Sequence, residues 1–137
     1  MRVAMKPFVQ TQVSTLLLGL TAQVKRTAEV ADADSVHDLR VAIRRLSRAL
    51  RSFAQFFPAK QWKRIRKELS NLMAAAAAVR DNDVALELIG KAGATQRSRV
   101  ALTLQARRRK AEAELREELQ SWQGRGFARE WREALEL

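Results

Sequence analysis

Trp62, Ile65, Leu69, Leu72, Ala76 and Val79 recur at alternating steps of three and four, and that spacing admits one regular structure. A helix turning about 100° per residue stacks such positions on a single face, whereas a strand sends successive side chains to opposite faces. Val9, Val13, Leu16, Leu20 and Val24 repeat the pattern, as do Leu39, Ile43, Leu46 and Leu50, and later Val100, Leu104, Ala111, Leu115, Leu119 and Trp122. Only two prolines and five glycines interrupt these runs in 137 residues. The expectation is an all-α fold, an antiparallel four-helix bundle with additional short helices, in a single domain over 1–137.

Local signals set the expected boundaries. Pro7 suits the opening of a first helix that runs to about Val30, and Ala31 to Ser35 form the turn. Ser35 as N-cap with Asp38 three residues later resembles a capping box, which starts a second helix that Pro58 ends near Phe57. A third helix follows from Ala59, its small run Ala74 to Ala78 allowing a neighbour to approach closely. Arg80-Asp81-Asn82-Asp83 breaks that pattern, leaving a short helix from Val84 to Ile89 stopped at Gly90. A long helix is expected from Thr95 to Gln123, then a terminal turn or two from Phe127 to Leu135 after Gly124 and Gly126.

The second helix carries the functional signal. Opposite Leu39, Ile43, Leu46 and Leu50, the positions His37, Arg40, Arg44, Arg48 and Arg51 fall on one narrow stripe, the four arginines within roughly 80° of one another. An ordinary solvated face mixes signs, because carboxylates three or four residues away relieve cationic repulsion. No arginine of this stripe has one at either spacing. The repulsion among them amounts to about 1 to 2 kcal/mol, and a bound polyanion would remove it. Guanidinium also engages phosphate oxygens through two parallel hydrogen bonds, which an ammonium point charge cannot do.

The chain as a whole agrees with that reading. Its formal charge of +11 is concentrated: residues 37–67 hold ten Arg or Lys against one Asp, and the remainder sixteen against fourteen. Lys60, Lys63, Arg64 and Lys67 add a second basic surface. In the last long helix Arg108, Arg109 and Lys110 have Glu112 or Glu114 within reach as ordinary surface pairs, whereas Arg107 has none and becomes a further anion-site candidate. With no cysteine and one histidine, disulfides and cysteine- or histidine-rich metal sites are excluded. No cofactor is implied. The opening residues lack the apolar core of a signal peptide, so a cytoplasmic protein without membrane contact is expected.

The segment Val36-His37-Asp38-Leu39-Arg40-Val41 through Arg44-Arg45-Leu46-Ser47-Arg48-Ala49-Leu50, with Phe53 and then Val79-Arg80-Asp81-Asn82-Asp83-Val84, strongly resembles the CHAD family of conserved-histidine α-helical domains. The resemblance implies a helical domain that binds inorganic polyphosphate on a basic surface, with members found on polyphosphate granules. Carried over position by position, it implicates His37, Arg40, Arg44, Arg45 and Arg48, then Lys60, Lys63, Arg64 and Lys67. Arg80 and Asp81 are expected to clamp a helix junction. Typical members contain two four-helix halves related by a pseudo-two-fold axis. This chain resembles one half, so either a homodimer completes the arrangement, with apolar contacts at Phe127 and Trp131, or the domain works as a smaller single basic face.

The expected function is therefore non-enzymatic binding of polyphosphate, with a nucleic acid as the alternative partner, since any phosphate backbone would reward the same stripe. Against nucleic acid, Phe53, Phe57, Trp62, Trp122 and Trp131 sit at core spacing, which leaves no platform for stacking bases. One histidine without a paired nucleophile or clustered carboxylates gives no catalytic constellation.

Overall fold

A computed structural model describes residues 2–137, with side chains from Met5 onward. Four long helices follow one another: α1 (Arg2–Glu29), α2 (Ala33–Ser52), α3 (Ala59–Lys91) and α4 (Arg99–Gly124). A short α5 (Phe127–Ala134) closes the chain, and no strand occurs among the described residues. Each long helix packs on its neighbours in sequence and α1 returns to α4, so the order around the bundle is α1, α2, α3, α4. α2 and α4 therefore lie on one diagonal, α1 and α3 on the other.

Most positions of the apolar stripes meet, with Leu17 in place of Leu16 in the core of α1 and Val100 left 57% exposed at the start of α4. Val9, Val13, Leu17, Leu20 and Val24 of α1 join Leu39, Ile43, Leu46 and Leu50 of α2, Ile65, Leu69, Leu72, Ala76 and Val79 of α3, and Leu115 and Leu119 of α4 in one core. α5 seals one end. Trp122, Phe127 and Trp131 form a ring cluster with centroids 5.0 to 5.2 Å apart, in the tilted and edge-on arrangements that aromatic quadrupoles favour. Phe127 is 3% exposed and Trp131 fully buried, so neither is free to face a second subunit as the sequence suggested. Gly126 takes φ 64° at the entry to α5, a left-handed conformation that a side chain would strain.

Several boundaries differ from those read in the sequence. Pro7 lies inside α1 instead of opening it; its missing N–H costs the helix one backbone bond within its first two turns. The N-cap of α2 is Asp32, whose carboxylate accepts from the Ser35 N–H at 2.8 Å. Ser35 is buried in the first turn, and its Oγ donates to the Val30 carbonyl at 2.6 Å. α2 ends at Ser52, and a single 3-10 turn (Ala54–Phe56) leads to Pro58. α4 begins at Arg99 behind a Ser98 cap, four residues later than expected.

The largest difference is at Arg80 to Asp83, through which α3 continues unbroken to Lys91. There is no junction here for Arg80 and Asp81 to clamp. Asn82 turns its amide back to the Ala78 carbonyl at 2.8 Å, and Asp83 reaches across to Arg108 at 3.0 Å. Burial of Val79 and, one turn further along the same face, this cross-helix pair outweigh a weak local preference against helix.

Candidate anion-binding face on α2 and α3

Arg66 fixes how the basic surface is assembled. Its Nε donates to Ser47 Oγ of α2 at 3.1 Å, which sets Arg66 on the flank of α3 that faces α2. The two helices run antiparallel with Ser47 and Arg66 level. Arg80, fourteen residues and roughly 21 Å further along α3, returns to the same flank level with the first turn of α2. Across from them stand His37, Arg40, Arg44, Arg48 and Arg51, also spanning roughly 21 Å. Arg44, Arg48 and Arg51 are exposed, while Arg40 is half-buried and its Nε has no hydrogen-bond partner.

None of these arginines makes an ion pair among the described residues, although Arg26, Arg64, Arg108, Arg125 and Arg129 all do. The single carboxylate of the stripe's own helix beyond its first turn, Asp38, is turned toward α1. It holds Arg26 at 2.6 Å and lies 3.2 Å from His37 Nδ1. The hydrogen bond from Arg26, with the neighbouring His37, keeps the Asp38 carboxyl below the usual aspartate range, and the same bond raises Arg26. Asp32 is lowered too, chiefly by the Ser35 backbone N–H it accepts. The acids near the stripe are thus committed to α1 and to the cap.

The remaining candidates separate. Arg45 is one residue past Arg44 and roughly 100° around the helix; it lines a groove between α1 and α2 with Leu16, Gly19 and Val41. Lys63 lies over the Trp62 ring at 5.7 Å, at the edge of the α2-facing flank. Lys60 and Lys67 are exposed on the outer side of α3. Arg64 is two residues from Arg66 and so roughly 200° away. It pairs with Glu68 at 3.4 Å and with Glu130 of α5 at 2.8 Å, on the flank turned from α2. Arg107 is exposed on α4, diagonal to α2, beside Arg99 and Lys110. It does not join the stripe.

Arg66 and Arg80 are the members that the sequence reading left out of the site. The signal for Arg66 was available: it lacks a carboxylate at i±3 or i±4, which is the criterion that singled out Arg44. Arg108 also changes meaning. It bridges Asp83 and Glu112 and donates to the Ala31 carbonyl at 2.7 Å, tying α3, α4 and the α1–α2 turn together. Burial opposes its charge, but Asp83 and Glu112 together outweigh burial and hold its pKa above the ordinary value. It is a strut, where the sequence suggested an ordinary surface pair. Arg109 and Lys110 make no ion pair among the described residues.

The described residues contain no group of histidine, cysteine and carboxylate side chains able to hold a metal. No helix among them is long and apolar enough to cross a membrane. What the face offers is an elongated cationic strip with donors on both walls. Neither a curated protein nor a solved structure matches the chain. The model of the CHAD domain, however, matches residues 12–137, which takes in the whole of α2, α3, α4 and α5 and most of α1. The chain belongs to the CHAD family.

Proposed function

We propose that this chain binds inorganic polyphosphate, without hydrolysing it, along the strip between α2 and α3. The observation that carries the reading is the row of arginines without ion-pair partners, set against other arginines of the same molecule that have them. Membership of a family known for polyphosphate binding supports it. A linear polyanion lying along α2 meets Arg51, Arg48, Arg44 and Arg40 in turn, at about one guanidinium per helical turn of 5.4 Å. Arg66 and Arg80 close the strip from the other side. Each contact replaces arginine–arginine repulsion with a charge-assisted hydrogen bond. His37 extends the row at its N-terminal end, where the positive helix end also favours an anion. Association with polyphosphate granules in the cytoplasm follows as part of this proposal.

A nucleic acid presents phosphate as well, but its bases would find no partner on this face. Trp122 and Trp131 are buried, and Trp62 and Phe53 pack against the core. The deciding measurement is a titration with polyphosphates of defined length at two salt concentrations, with duplex DNA as competitor. About five phosphate contacts should cost roughly a hundredfold in affinity between 50 and 200 mM salt. Preference for long polyphosphate over DNA of equal charge is the expected result. Equal affinity for both would replace this reading with general phosphate-backbone binding.

A further inference from the structure

The outer face of α1 differs from every other surface of the molecule. From Pro7 to Val24 the chain has no charged residue, in a protein whose remaining helices all expose Arg, Lys or Glu. Phe8 and Leu18 on that helix are 53% and 60% exposed. With Val9, Val13, Leu17, Leu20 and Val24 turned into the core, the outward line runs through Phe8, Thr11, Thr15, Leu18, Gly19 and Ala22. A β-carbon placed on Gly19 would meet nothing within 4 Å, so this part of the line is open.

We propose that this face binds a second copy of the same chain, α1 against α1, antiparallel about a two-fold axis near Thr15. Two arguments select that occupant. The first is charge: two molecules of +11 repel at nearly every approach, and the Pro7–Val24 span of α1 is the one long stretch of helix surface that sets no charge against its copy. The other exposed apolar group, Leu88, Val100 and Leu102, is interleaved with Arg97, Arg99 and Arg107 and fails this condition. The second is shape. With Thr15 opposite Thr15, Phe8 of one copy lies opposite Ala22 of the other and Thr11 opposite Gly19, so large meets small at both ends. This is the self-complementarity that an isologous interface needs.

The stripe itself is roughly 21 Å long and 10 Å wide, about 200 Å² for each copy, well below the roughly 800 Å² per partner of a standard stable interface. The adjoining groove between α1 and α2 is lined by His37, Asp38 and Arg45 as well as Leu16 and Val41 and stays outside the contact, so the pair is a weak, reversible dimer. Because α1 adjoins α2 but lies diagonal to α3, pairing leaves the strip between α2 and α3 open on both copies. Dimerisation therefore does not compete with the polyanion for the strip, and it has the opposite salt response, since added salt screens the repulsion between the two copies.

The test is sedimentation of the intact chain from micromolar to millimolar concentration without polyanion, together with disulfide trapping. The expected mass rises toward twice the monomer value, more so in high salt. Phe8→Glu and Leu18→Glu, both at exposed positions, should stay monomeric with unchanged helical circular dichroism. The chain has no cysteine, so Thr15→Cys is a clean reporter. Under oxidised glutathione it should form covalent dimers about tenfold faster than Leu102→Cys, because a short bridge needs the two α-carbons within about 7 Å. A parent that remains monomeric at millimolar concentration, Glu variants that still dimerise, or equal trapping at both cysteines would each overturn the proposal.

Discussion

The two flanks of α3 carry the same residue type in opposite circumstances. Toward α2, Arg66 shares its side with Arg40, Arg44, Arg48 and Arg51, and its one recorded partner is a hydroxyl. Toward α4 and α5, Arg64 has Glu68 and Glu130, Arg125 has Glu68, and Arg108 has Asp83 and Glu112. The difference comes from what the neighbouring helix supplies. α2 contributes one carboxylate beyond its first turn and turns it to α1, while on the other flank α5 contributes Glu130 to Arg64, and α3 itself offers Glu68 and Asp83 to Arg125 and Arg108. An arginine here becomes a strut or a ligand according to the helix opposite it. Arginine content alone does not reveal which.

Reversing charge on the unpaired flank should have the largest effect of any substitution on binding. Arg44→Glu removes a charge-assisted contact and places a like charge against phosphate, which is expected to weaken polyphosphate binding about a hundredfold. Helical content and melting temperature should hold, because Arg44 is exposed and opposite the core. Isothermal titration beside thermal circular dichroism checks both halves. A variant binding like the parent would remove the stripe from the site.

The paired flank should respond in the reverse sense. Arg108→Ala leaves Asp83, already with one buried unpartnered oxygen, without its cation, and removes the tie to the Ala31 carbonyl. Breaking a largely buried pair in this way is expected to cost about 3 kcal/mol, or roughly 10 °C in melting temperature. Polyphosphate affinity measured well below the melting point should change little. If Arg108→Ala instead cost affinity at constant stability, the division between the flanks would fail.

Much of this division was open to a reader of the sequence, and the limit is instructive. The spacing of Leu39, Ile43, Leu46 and Leu50 fixes which way Arg44 points, and the absence of carboxylates along α2 is a local fact. The state of Arg64 is not local. Glu68 is four residues away and visible, but Glu130 arrives only when α5 folds back. Asp83 looked like part of a helix break because its partner, Arg108, lies 25 positions on and on another helix. Ser35 reads as the cap in sequence, but its burial against the Val30 carbonyl, which depends on how α1 packs on α2, leaves the cap to Asp32. Patterns within one helix were legible, whereas choices made by two helices together were not.

Arg66 and Arg64 give a finer comparison, since they are two residues apart and face opposite ways. Arg66→Ala should weaken polyphosphate binding about tenfold, the loss of one charged contact. Arg64→Ala should change it less than about twofold, because two carboxylates already neutralise that guanidinium. Measuring both at the same salt removes the effect of net charge, which is identical in the two variants. Equal losses would show that the molecule presents a diffuse positive field with no defined strip.

The smallest expected effects lie at Asp38, where the two kinds of arginine environment meet. Its carboxyl is held below the ordinary aspartate range by Arg26 first and His37 second. A group whose folded pKa is depressed contributes stability that is complete above its unfolded pKa and is lost as pH falls through the folded value. The Arg26 pair should therefore matter at neutral pH and fade only in acid, and Asp38→Asn should flatten that part of the melting-temperature profile. Toward polyphosphate the sign is opposite. Asp38 is a negative charge 3.2 Å from His37, so removing it should tighten binding at neutral pH by about twofold, within the range of an exposed, screened charge. His37→Ala should change affinity by less than about twofold, while the salt dependence set by the arginines persists. A loss as large as that of Arg66→Ala would instead make the exposed ring beside Asp38 a ligand of the strip in its own right.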